Sequence, residues 1–361
     1  MDSDLKRLRS TIDELDANIV HLLRERMNIV EDIAEAKKEE GLPVLDPQRE
    51  RELYDKIRSK AEKLGLDGSD IESIFREIVS MSRRIQGEER TVAFLGPTGT
   101  FAEEAARKIF PESGVRFIAC SSIFDTFRTV SSGGALYGVV PIENSTEGSV
   151  TTTHDLLVDY DLMVWAEIDL PISQNLIVKP GTNLADLKVI LSHPQALAQC
   201  RRYLEEHFPG IELRGTSSTA GAVEKLKDLG NAAAVGTPLA ARIFGMEIAA
   251  KGIQDNSRNY TRFFVLSKND REVTGSDKTS LVFSVRHVPG ALYSVLQVFA
   301  EKNLNMTKIE SRPSKEKAWE YVFFIGFEGH RRSKTVAEAL EELKDRTLFL
   351  KVLGSYPRWL G

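Results

Sequence analysis

The sequence has little cysteine and no long apolar run, and both absences limit what the protein can be. Cys120 and Cys200 are its two cysteines and form no CxxC pair, so we expect buried, reduced thiols rather than a disulfide framework. No apolar run approaches the roughly 18 residues needed to cross a bilayer. The opening segment MDSDLKRL lacks the apolar core of a signal peptide. We therefore expect a cytoplasmic protein without a membrane partner.

An excess of positive charge is also absent. The 361 residues carry 48 Lys and Arg against 53 Asp and Glu, a formal net charge of −5. Surfaces that bind nucleic acid are basic, so we expect no nucleic-acid partner. Hydrophobic residues make up 42% of the chain, too many for general disorder. The length exceeds one ordinary domain and predicts two or three.

Residues 1–90 contain few aromatic residues and few glycines but many charges, which is typical of a helical block. Apolar residues recur there in steps of three and four, the seam of a coiled coil: Leu5, Leu8, Ile12, Leu15, Ile19, Leu22, Ile29, Ile33 and Ala36. A helix of about 35 residues is roughly 50 Å long and needs a partner chain to pack against. Two further helices are predicted, from Pro47 to Leu64 and from Ser69 to Gln86. Ser69 and Glu72 have the spacing of a capping box.

Three basic residues indicate an anion site in this block. Arg26 occupies a seam position, and Lys37, eleven residues later, returns to almost the same helix face about 16 Å further along. Two cations on one inward face can converge on a small anion. Arg9 lies about 25 Å from Arg26 and is rotated by roughly 100°. It would therefore reach the equivalent ligand only in a second, antiparallel chain.

With these residues the block resembles the all-helical class of chorismate mutases, over all three helices. The resemblance implies that chorismate rearranges to prephenate without a nucleophile, metal or cofactor. It implies eight site residues: Arg9, Arg26, Lys37, Asp46, Arg49, Glu50, Ser82 and Gln86. In that arrangement the arginines hold carboxylates, Lys37 and Gln86 donate to the ether oxygen, and Glu50 binds the hydroxyl with help from Asp46 and Ser82.

Residues 91–270 read as short buried strands with helices between them, which predicts an α/β region with a mainly parallel sheet and two lobes around a cleft. Four polar turns follow or open these strands: GPTGTF, ENSTEG, SHPQALAQC and NYTRFF. Strand ends of open α/β sheets are where ligands bind. The G-x-G-x-x-G and P-loop patterns are missing, which disfavours a nucleotide site. A Ser-His-Asp arrangement and a metal-ligand cluster are missing as well, which disfavours a hydrolase and a metalloenzyme.

In the order and spacing of these motifs the region resembles prephenate dehydratase. The resemblance implies a two-lobed fold of the periplasmic-binding-protein type and loss of carbon dioxide and water from prephenate to give phenylpyruvate. It implies Thr261 as the key catalytic residue, acting as a hydrogen-bond donor to the leaving hydroxyl. The implied substrate-binding residues are Thr98, Thr100, Glu143, Asn144, Ser145, Ser192, Gln199, Arg262 and Phe263. Two roles stay open for Glu143, as a structural partner or as part of the proton path.

Residues 278–361 read β-α-β-β-α-β, the ferredoxin-like order, after a polar stretch at 268–278 that reads as a linker. The segments VPGALYSVL and IESRPS resemble the phenylalanine-binding motifs of an ACT domain. The resemblance implies L-phenylalanine as an effector, bound between two such domains of a homodimer or tetramer. The implied effector-binding residues are Gly290, Ala291, Leu292, Glu310, Ser311, Arg312 and Pro313.

The sequence therefore predicts a multidomain chain: an all-α mutase domain (1–90), an α/β dehydratase domain (91–270) and an α+β ACT domain (278–361). The expected function is that of a bifunctional chorismate mutase/prephenate dehydratase under feedback inhibition by phenylalanine. Two alternatives remain open. The dehydratase could prefer arogenate, or the second and third domains could be a binding-only sensor of aromatic amino acids. The missing dinucleotide motif disfavours a prephenate dehydrogenase.

Overall fold

The computed structural model describes residues 2–42, 47–86, 90–110, 115–314 and 321–359. The chain divides into two compact units, Met1–Arg90 and Thr91–Gly361. Within the described ranges, no helix is both long enough and apolar enough to cross a membrane.

The first unit is helical, as the sequence predicts. It consists of α1 (Asp2–Glu40), α2 (Pro47–Lys63) and α3 (Gly68–Ile85). The second half of α1 packs on α3 and buries Met27 and Val30. The predicted seam residues from Leu5 to Ile33 are all exposed, most of them by more than half of their surface. Within one chain the long helix therefore has an uncovered apolar stripe.

The start of α3 differs from the predicted capping box. Asp67 is the capping residue, because its Oδ1 accepts the backbone N–H groups of Ser69 at 2.8 Å and Asp70 at 3.2 Å. Glu72 instead receives hydrogen bonds from Arg58 and Arg76. Desolvation opposes ionisation of Glu72, but these two guanidinium groups outweigh it and hold its pKa below the usual range. Glu72 thus joins α2 to α3 instead of capping the helix.

The second unit begins with two α/β lobes. The chain enters the first lobe, crosses to the second after β5 and returns before β11. The elements of the first lobe are β1 (Arg90–Leu95), α4 (Phe101–Ile109), β2 (Val115–Cys120), α5 (Ile123–Ser131), β3 (Tyr137–Asn144), β4 (Gly148–Ser149), α6 (Thr151–Asp159), β5 (Met163–Pro171) and β11 (Tyr260–Ser267). Those of the second lobe are β6 (Asn175–Val178), β7 (Val189–Ser192), α7 (Pro194–Gln199), α8 (Arg201–His207), β8 (Glu212–Gly215), α9 (Thr219–Lys225), β9 (Ala232–Gly236), α10 (Pro238–Phe244) and β10 (Glu247–Ala250).

The two lobes confirm the predicted α/β class, but the sheets are mixed rather than mainly parallel. The strand orders are β2-β1-β3-β11-β5 and β10-β6-β9-β7-β8. In the first sheet β11 runs antiparallel to both β3 and β5, and in the second β6 runs antiparallel to β9 and β10. The strands on either side of the two crossovers account for these antiparallel pairs.

The C-terminal part has the predicted β-α-β-β-α-β order. Its elements are β12 (Asp277–Ser284), α11 (Ala291–Glu301), β13 (Met306–Pro313), β14 (Tyr321–Glu328), α12 (Lys334–Arg346) and β15 (Phe349–Pro357). The sheet order is β13-β14-β12-β15 with antiparallel pairs, and both helices cover one face. This is the expected ferredoxin-like arrangement.

The other face of the C-terminal sheet packs on the first lobe. Leu353 and Tyr356 of β15 share a buried cluster with Phe264 and Leu266 of β11. Lys278, in the predicted linker, is buried and donates to both carboxylate oxygens of Glu167 on β5 at 2.8 and 2.9 Å. The stretch 268–278 is therefore anchored to both neighbours and is not a free linker.

Close contact between β15 and β5 requires glycine at position 354. Gly354 has φ of +148°, and a Cβ there would lie 2.3 Å from the carbonyl oxygen of Val164. Because that neighbour is backbone, it cannot rotate away as a side chain could. Glycine therefore sets how closely the C-terminal sheet packs on the first lobe.

We predict that Gly354→Ala destabilises the second unit by about 3 kcal/mol, since a backbone clash and an unfavourable φ combine. Chemical denaturation followed by near-UV circular dichroism measures the change. Gly230→Ala is the matched control, because nothing lies within 4 Å of its Cβ position. Equal stability of the two variants would contradict the close contact.

Candidate active sites

In the helical unit, Arg26 and Ser82 come together. The Arg26 guanidinium on α1 donates to the Ser82 hydroxyl on α3, and that hydroxyl donates to the carbonyl of Ile78 at 2.7 Å. Ser82 is 4% exposed, and burial lowers the pKa of Arg26. A half-buried guanidinium that is held by a serine hydroxyl is a suitable carboxylate ligand, because part of its hydration has already been removed.

The other predicted mutase residues are distributed over the same helices. Gln86 follows Ser82 by one turn, and its buried Oε1 has no hydrogen-bond partner in the part of the chain that the structure describes. Lys37 and Glu50 are half-buried on α1 and α2, whereas Arg9 and Arg49 are exposed. Asp46 lies outside the described residues. Arg9, far along α1 on its exposed stretch, does not join Arg26 within one chain.

In the second unit a cavity of about 440 Å³ lies between the two lobes. It contains five of the predicted residues: Thr100, Asn144, Gln199, Thr261 and Phe263. Further polar residues that line it were not predicted: Ser121, Gln174, His193, Gln195, Ser217, Ser218, Thr219 and Asn259. The three from Ser217 to Thr219 form a polar turn of the same kind as the four predicted ones. It was missed because the strand before it, ELRG, is charged and exposed.

Thr261 has a defined hydrogen-bond polarity. The Oδ1 atom of Asn144 accepts the backbone N–H groups of Thr146 at 2.9 Å and Glu147 at 3.1 Å, which fixes the orientation of the amide. Its Nδ2 atom therefore faces Thr261, 2.9 Å from Oγ1. With one lone pair of Oγ1 so occupied, the Thr261 hydroxyl is left to act as a donor in the cavity.

Gln199 is held from the first crossover between the lobes. Gln174 donates from Nε2 to Gln199 Oε1 at 3.3 Å, which leaves the amide nitrogen of Gln199 for the cavity. Gln174 is 3% exposed, and its Oε1 has no partner among the described residues. Amide and hydroxyl groups thus line both lobes of the cavity.

Five predicted substrate-binding residues do not line this cavity: Thr98, Glu143, Ser145, Ser192 and Arg262. Ser192 is fully buried and donates to the carbonyl of Val235 at 2.7 Å. Ser145 ties the turn after β3 to the start of β11 by accepting the N–H of Tyr260. Thr98 is half-buried nearby.

Arg262 and Glu143 face away from the cavity because side chains alternate along β3 and β11. The Arg262 guanidinium makes two hydrogen bonds of 2.7 Å with the carboxylate of Asp169, which raise its pKa. Glu143 accepts from Lys308 of the C-terminal sheet at 2.9 Å. The expected role of Arg262 as a carboxylate ligand therefore gives way to an ion pair outside the cleft.

No lysine or arginine lines the cavity in the part of the chain that the structure describes. Anions entering it meet hydroxyls, amides and the N-terminus of α4, where Thr100 is the capping residue. Also within the described ranges, no group of three metal-ligating side chains comes together.

The predicted effector residues divide between two faces of the C-terminal domain. Glu310 pairs with Phe324 on the face that packs on the first lobe, and Ser311 pairs with Phe323 on the helix-covered face. Arg312 shares the face of Glu310, and Pro313 shares that of Ser311. Gly290, with φ of +81°, precedes α11, which begins with Ala291 and Leu292.

Glu310 is part of a contact with the first lobe. Its carboxylate accepts from the Ser149 hydroxyl at 2.5 Å and lies 3.3 Å from His154 Nε2 and 3.2 Å from Lys308 Nζ. Desolvation opposes ionisation of Glu310, but these partners outweigh it and lower its pKa. Lys308 thus bridges Glu310 and Glu143, across the boundary between the effector motif and the first lobe.

Comparison with known families accounts for all three regions. The model of chorismate mutase type II matches residues 8–87, that of prephenate dehydratase matches 92–271, and that of the ACT domain matches 279–345. These matches define a mutase and a dehydratase joined to an ACT domain.

Relatives give the same order over the whole length. The chain is 43% identical over 360 residues to the bifunctional chorismate mutase/prephenate dehydratase of Aquifex aeolicus, with 99% of each chain covered. The prephenate dehydratase of Arthrobacter aurescens, solved with L-Phe, is 37% identical with a TM-score of 0.68 over 74% of this chain and 90% of its own. A structure described as a quorum-quenching acylase is 32% identical with the same TM-score, over 75% of this chain and 99% of its own. The chain belongs to the bifunctional chorismate mutase/prephenate dehydratase family.

Proposed function

We propose that the helical unit rearranges chorismate to prephenate, that the two-lobed cleft converts prephenate to phenylpyruvate, and that L-phenylalanine inhibits the second reaction through the ACT domain. The observation that supports this proposal is that residues implied by each resemblance contact one another, Arg26 with Ser82 and Asn144 with Thr261. A cytoplasmic location and a dimeric or tetrameric assembly belong to the same proposal.

In the mutase reaction the protein binds a compact dianion and stabilises the negative charge that develops on the ether oxygen. Arg26 holds one carboxylate, with Ser82 fixing its guanidinium. Lys37 and Gln86 donate to the ether oxygen. The Oε1 of Gln86, which has no partner among the described residues, fits a side chain that reorients on binding. Arg49 assists at a carboxylate, and Glu50, with Asp46 and Ser82, holds the substrate hydroxyl.

A second copy of the chain completes this site. The uncovered stripe of α1 carries the seam predicted for a coiled coil, and its burial would stabilise a dimer by the hydrophobic effect. In an antiparallel pair, Arg9 of one chain comes to the Arg26 end of the other. The exposed Arg9 would there meet the second carboxylate.

In the dehydratase reaction two bonds of prephenate break. The bond from the ring to its carboxylate breaks and leaves its electron pair in the ring, while carbon dioxide departs. The ring hydroxyl leaves, takes up one proton and becomes water, and the ring becomes aromatic. Thr261 donates a hydrogen bond to the departing oxygen. Asn144 and Gln199 orient the substrate, and the backbone N–H groups at the start of α4 bind its side-chain carboxylate.

We predict that Arg26→Ala lowers mutase turnover at least about a hundredfold and leaves the conversion of added prephenate unchanged, since a preorganised charged donor is lost. Thr261→Val should give the reverse result, with prephenate accumulating from chorismate, and Thr261→Ser should retain part of the rate. Product analysis after feeding chorismate, prephenate or arogenate separates the steps. Arg24→Ala, an exposed change on the same helix, is the control.

Loss of both activities in either variant, with folding intact, would contradict two separate sites. Faster turnover of arogenate than of prephenate would replace the proposed substrate. Absence of turnover on all three compounds, together with binding of aromatic amino acids, would favour a sensor.

Sharing of the mutase site predicts complementation. Arg9→Ala and Arg26→Ala, each inactive alone, should regain up to about a quarter of the unchanged activity when mixed in equal amounts and allowed to exchange subunits. Random exchange makes about half of the dimers mixed, and one of the two sites in a mixed dimer carries neither change. The measurement is mutase turnover against mixing ratio, with native mass spectrometry to count mixed dimers. Mixed dimers without recovered activity would show that Arg9 acts within its own chain.

Regulation should depend on Lys308. Removal of the ACT domain is a poor test, because it would expose Phe264 and Leu266 of the first lobe. In Lys308→Met the like charges of Glu143 and Glu310 lose their bridge, and we predict about a tenfold weaker phenylalanine inhibition with basal dehydratase turnover retained. Lys302→Met, which removes a pair within the C-terminal domain, is the control. Unchanged inhibition of Lys308→Met would exclude this contact from the coupling.

A further inference from the structure

Asn259 stands at the junction of the two lobes and is 3% exposed. It lies on the second crossover, immediately before β11, and its backbone carbonyl accepts the N–H of Ile172 on the first crossover at 2.8 Å. Its side chain lines the same cavity as Thr261. A polar side chain buried at this point must satisfy its hydrogen bonds within the protein or with a ligand.

The amide of Asn259 has only one orientation that fits its neighbour. Asn144 presents its Nδ2 atom, a donor, to Asn259 Oδ1 at 2.8 Å and to Thr261 Oγ1 at 2.9 Å. The orientation of Asn144 is itself fixed, because backbone N–H groups of Thr146 and Glu147 bind its Oδ1. Asn259 must therefore use its oxygen towards Asn144, which leaves Nδ2 as the donor of a side chain that lines the cavity.

This arrangement gives Asn259 an effect on Thr261. An amide NH₂ group has two hydrogens, and Asn144 also lies 3.2 Å from the carbonyl of Tyr260. Asn259 accepts one hydrogen of the Asn144 amide. The other hydrogen therefore lies between the Thr261 hydroxyl and the more distant carbonyl of Tyr260. If Asn259 is removed, the Asn144 amide is held only through Oδ1, and its Nδ2 atom can tilt towards the carbonyl of Tyr260, which weakens its hydrogen bond to Thr261.

We propose that Asn259 is a positioning residue for the dehydratase reaction, which holds Asn144 on Thr261 through Oδ1 and offers Nδ2 to an oxygen of the bound substrate. The proposal rests on the dehydratase function proposed above. In this proposal one side chain has two roles: it maintains the hydrogen-bond polarity of the Thr261 hydroxyl, and it is a neutral donor to an anionic substrate.

Two substitutions separate the two roles. Asn259→Ala removes both, and kcat on prephenate should fall at least about tenfold while KM rises. Asn259→Asp keeps an acceptor for Asn144 but places a carboxylate before an anionic substrate. Its kcat should therefore stay within about threefold of the unchanged enzyme, and its KM should rise at least about tenfold.

The pH dependence of Asn259→Asp is the decisive readout. Protonation gives the introduced carboxyl one donor and one acceptor in the shape of the original amide. The increase in KM of Asn259→Asp over the unchanged enzyme should therefore become smaller as the pH falls. Both rates are corrected for the uncatalysed reaction. A purely structural role would give a defect in kcat that does not respond to pH in this way.

The controls lie in the same chain. Asn256→Asp alters an exposed asparagine on the same crossover, whose Oδ1 accepts the N–H of Arg258, and should leave kcat and KM unchanged. Mutase turnover of each variant reports that the first unit is intact, and near-UV circular dichroism reports the folding of the second unit. Asn259→Asp and Asn259→Ala with kinetics like the unchanged enzyme would overturn the proposal, and so would a KM defect of Asn259→Asp that is constant with pH. A chain that never dehydrates prephenate would instead overturn the proposed function itself.

Discussion

The pairing of β3 with β11 is the constraint on which both the cleft between the lobes and the proposed regulation of the dehydratase depend. Thr261 lies opposite Asn144 and Arg262 lies opposite Glu143 in this antiparallel pair. Because side chains alternate, the first two face the cavity and the second two face the C-terminal domain. One strand pair thus carries polar groups of the cavity on one side and, on the other, the ion pairs that include Lys308 and Lys278.

The neutral lining of the cavity suits the loss of carbon dioxide. A lysine or arginine on the departing carboxylate would stabilise its concentrated charge in the bound substrate more than the dispersed charge of the transition state, and would raise the barrier. Hydroxyl and amide donors orient the anion with less ground-state stabilisation. The pairing of Arg262 with Asp169 holds this cation outside the cavity lining.

The sequence was sufficient for the class and order of the three regions, because heptad spacing, buried strands and the β-α-β-β-α-β order are local patterns. An apolar pattern does not predict β2, β8 and β10, because these strands lie at sheet edges, where charged residues interrupt it: Arg116, Glu212, Arg214 and Glu247. Motif order also could not tell which residue of a motif faces the cavity. Thr261 and Phe263 do, whereas Arg262 does not, and only the pairing and its alternation decide this.

The shared core of the first lobe and the C-terminal sheet has a consequence for how the chain matures. Phe264 and Leu266 on β11 are covered by Leu353 and Tyr356 on β15, some ninety residues later in the chain. During synthesis the apolar face of the first lobe therefore stays exposed until β15 has left the ribosome. The ACT domain then completes the core of the dehydratase lobe, so a nascent chain gains a complete lobe and its regulatory domain at the same moment.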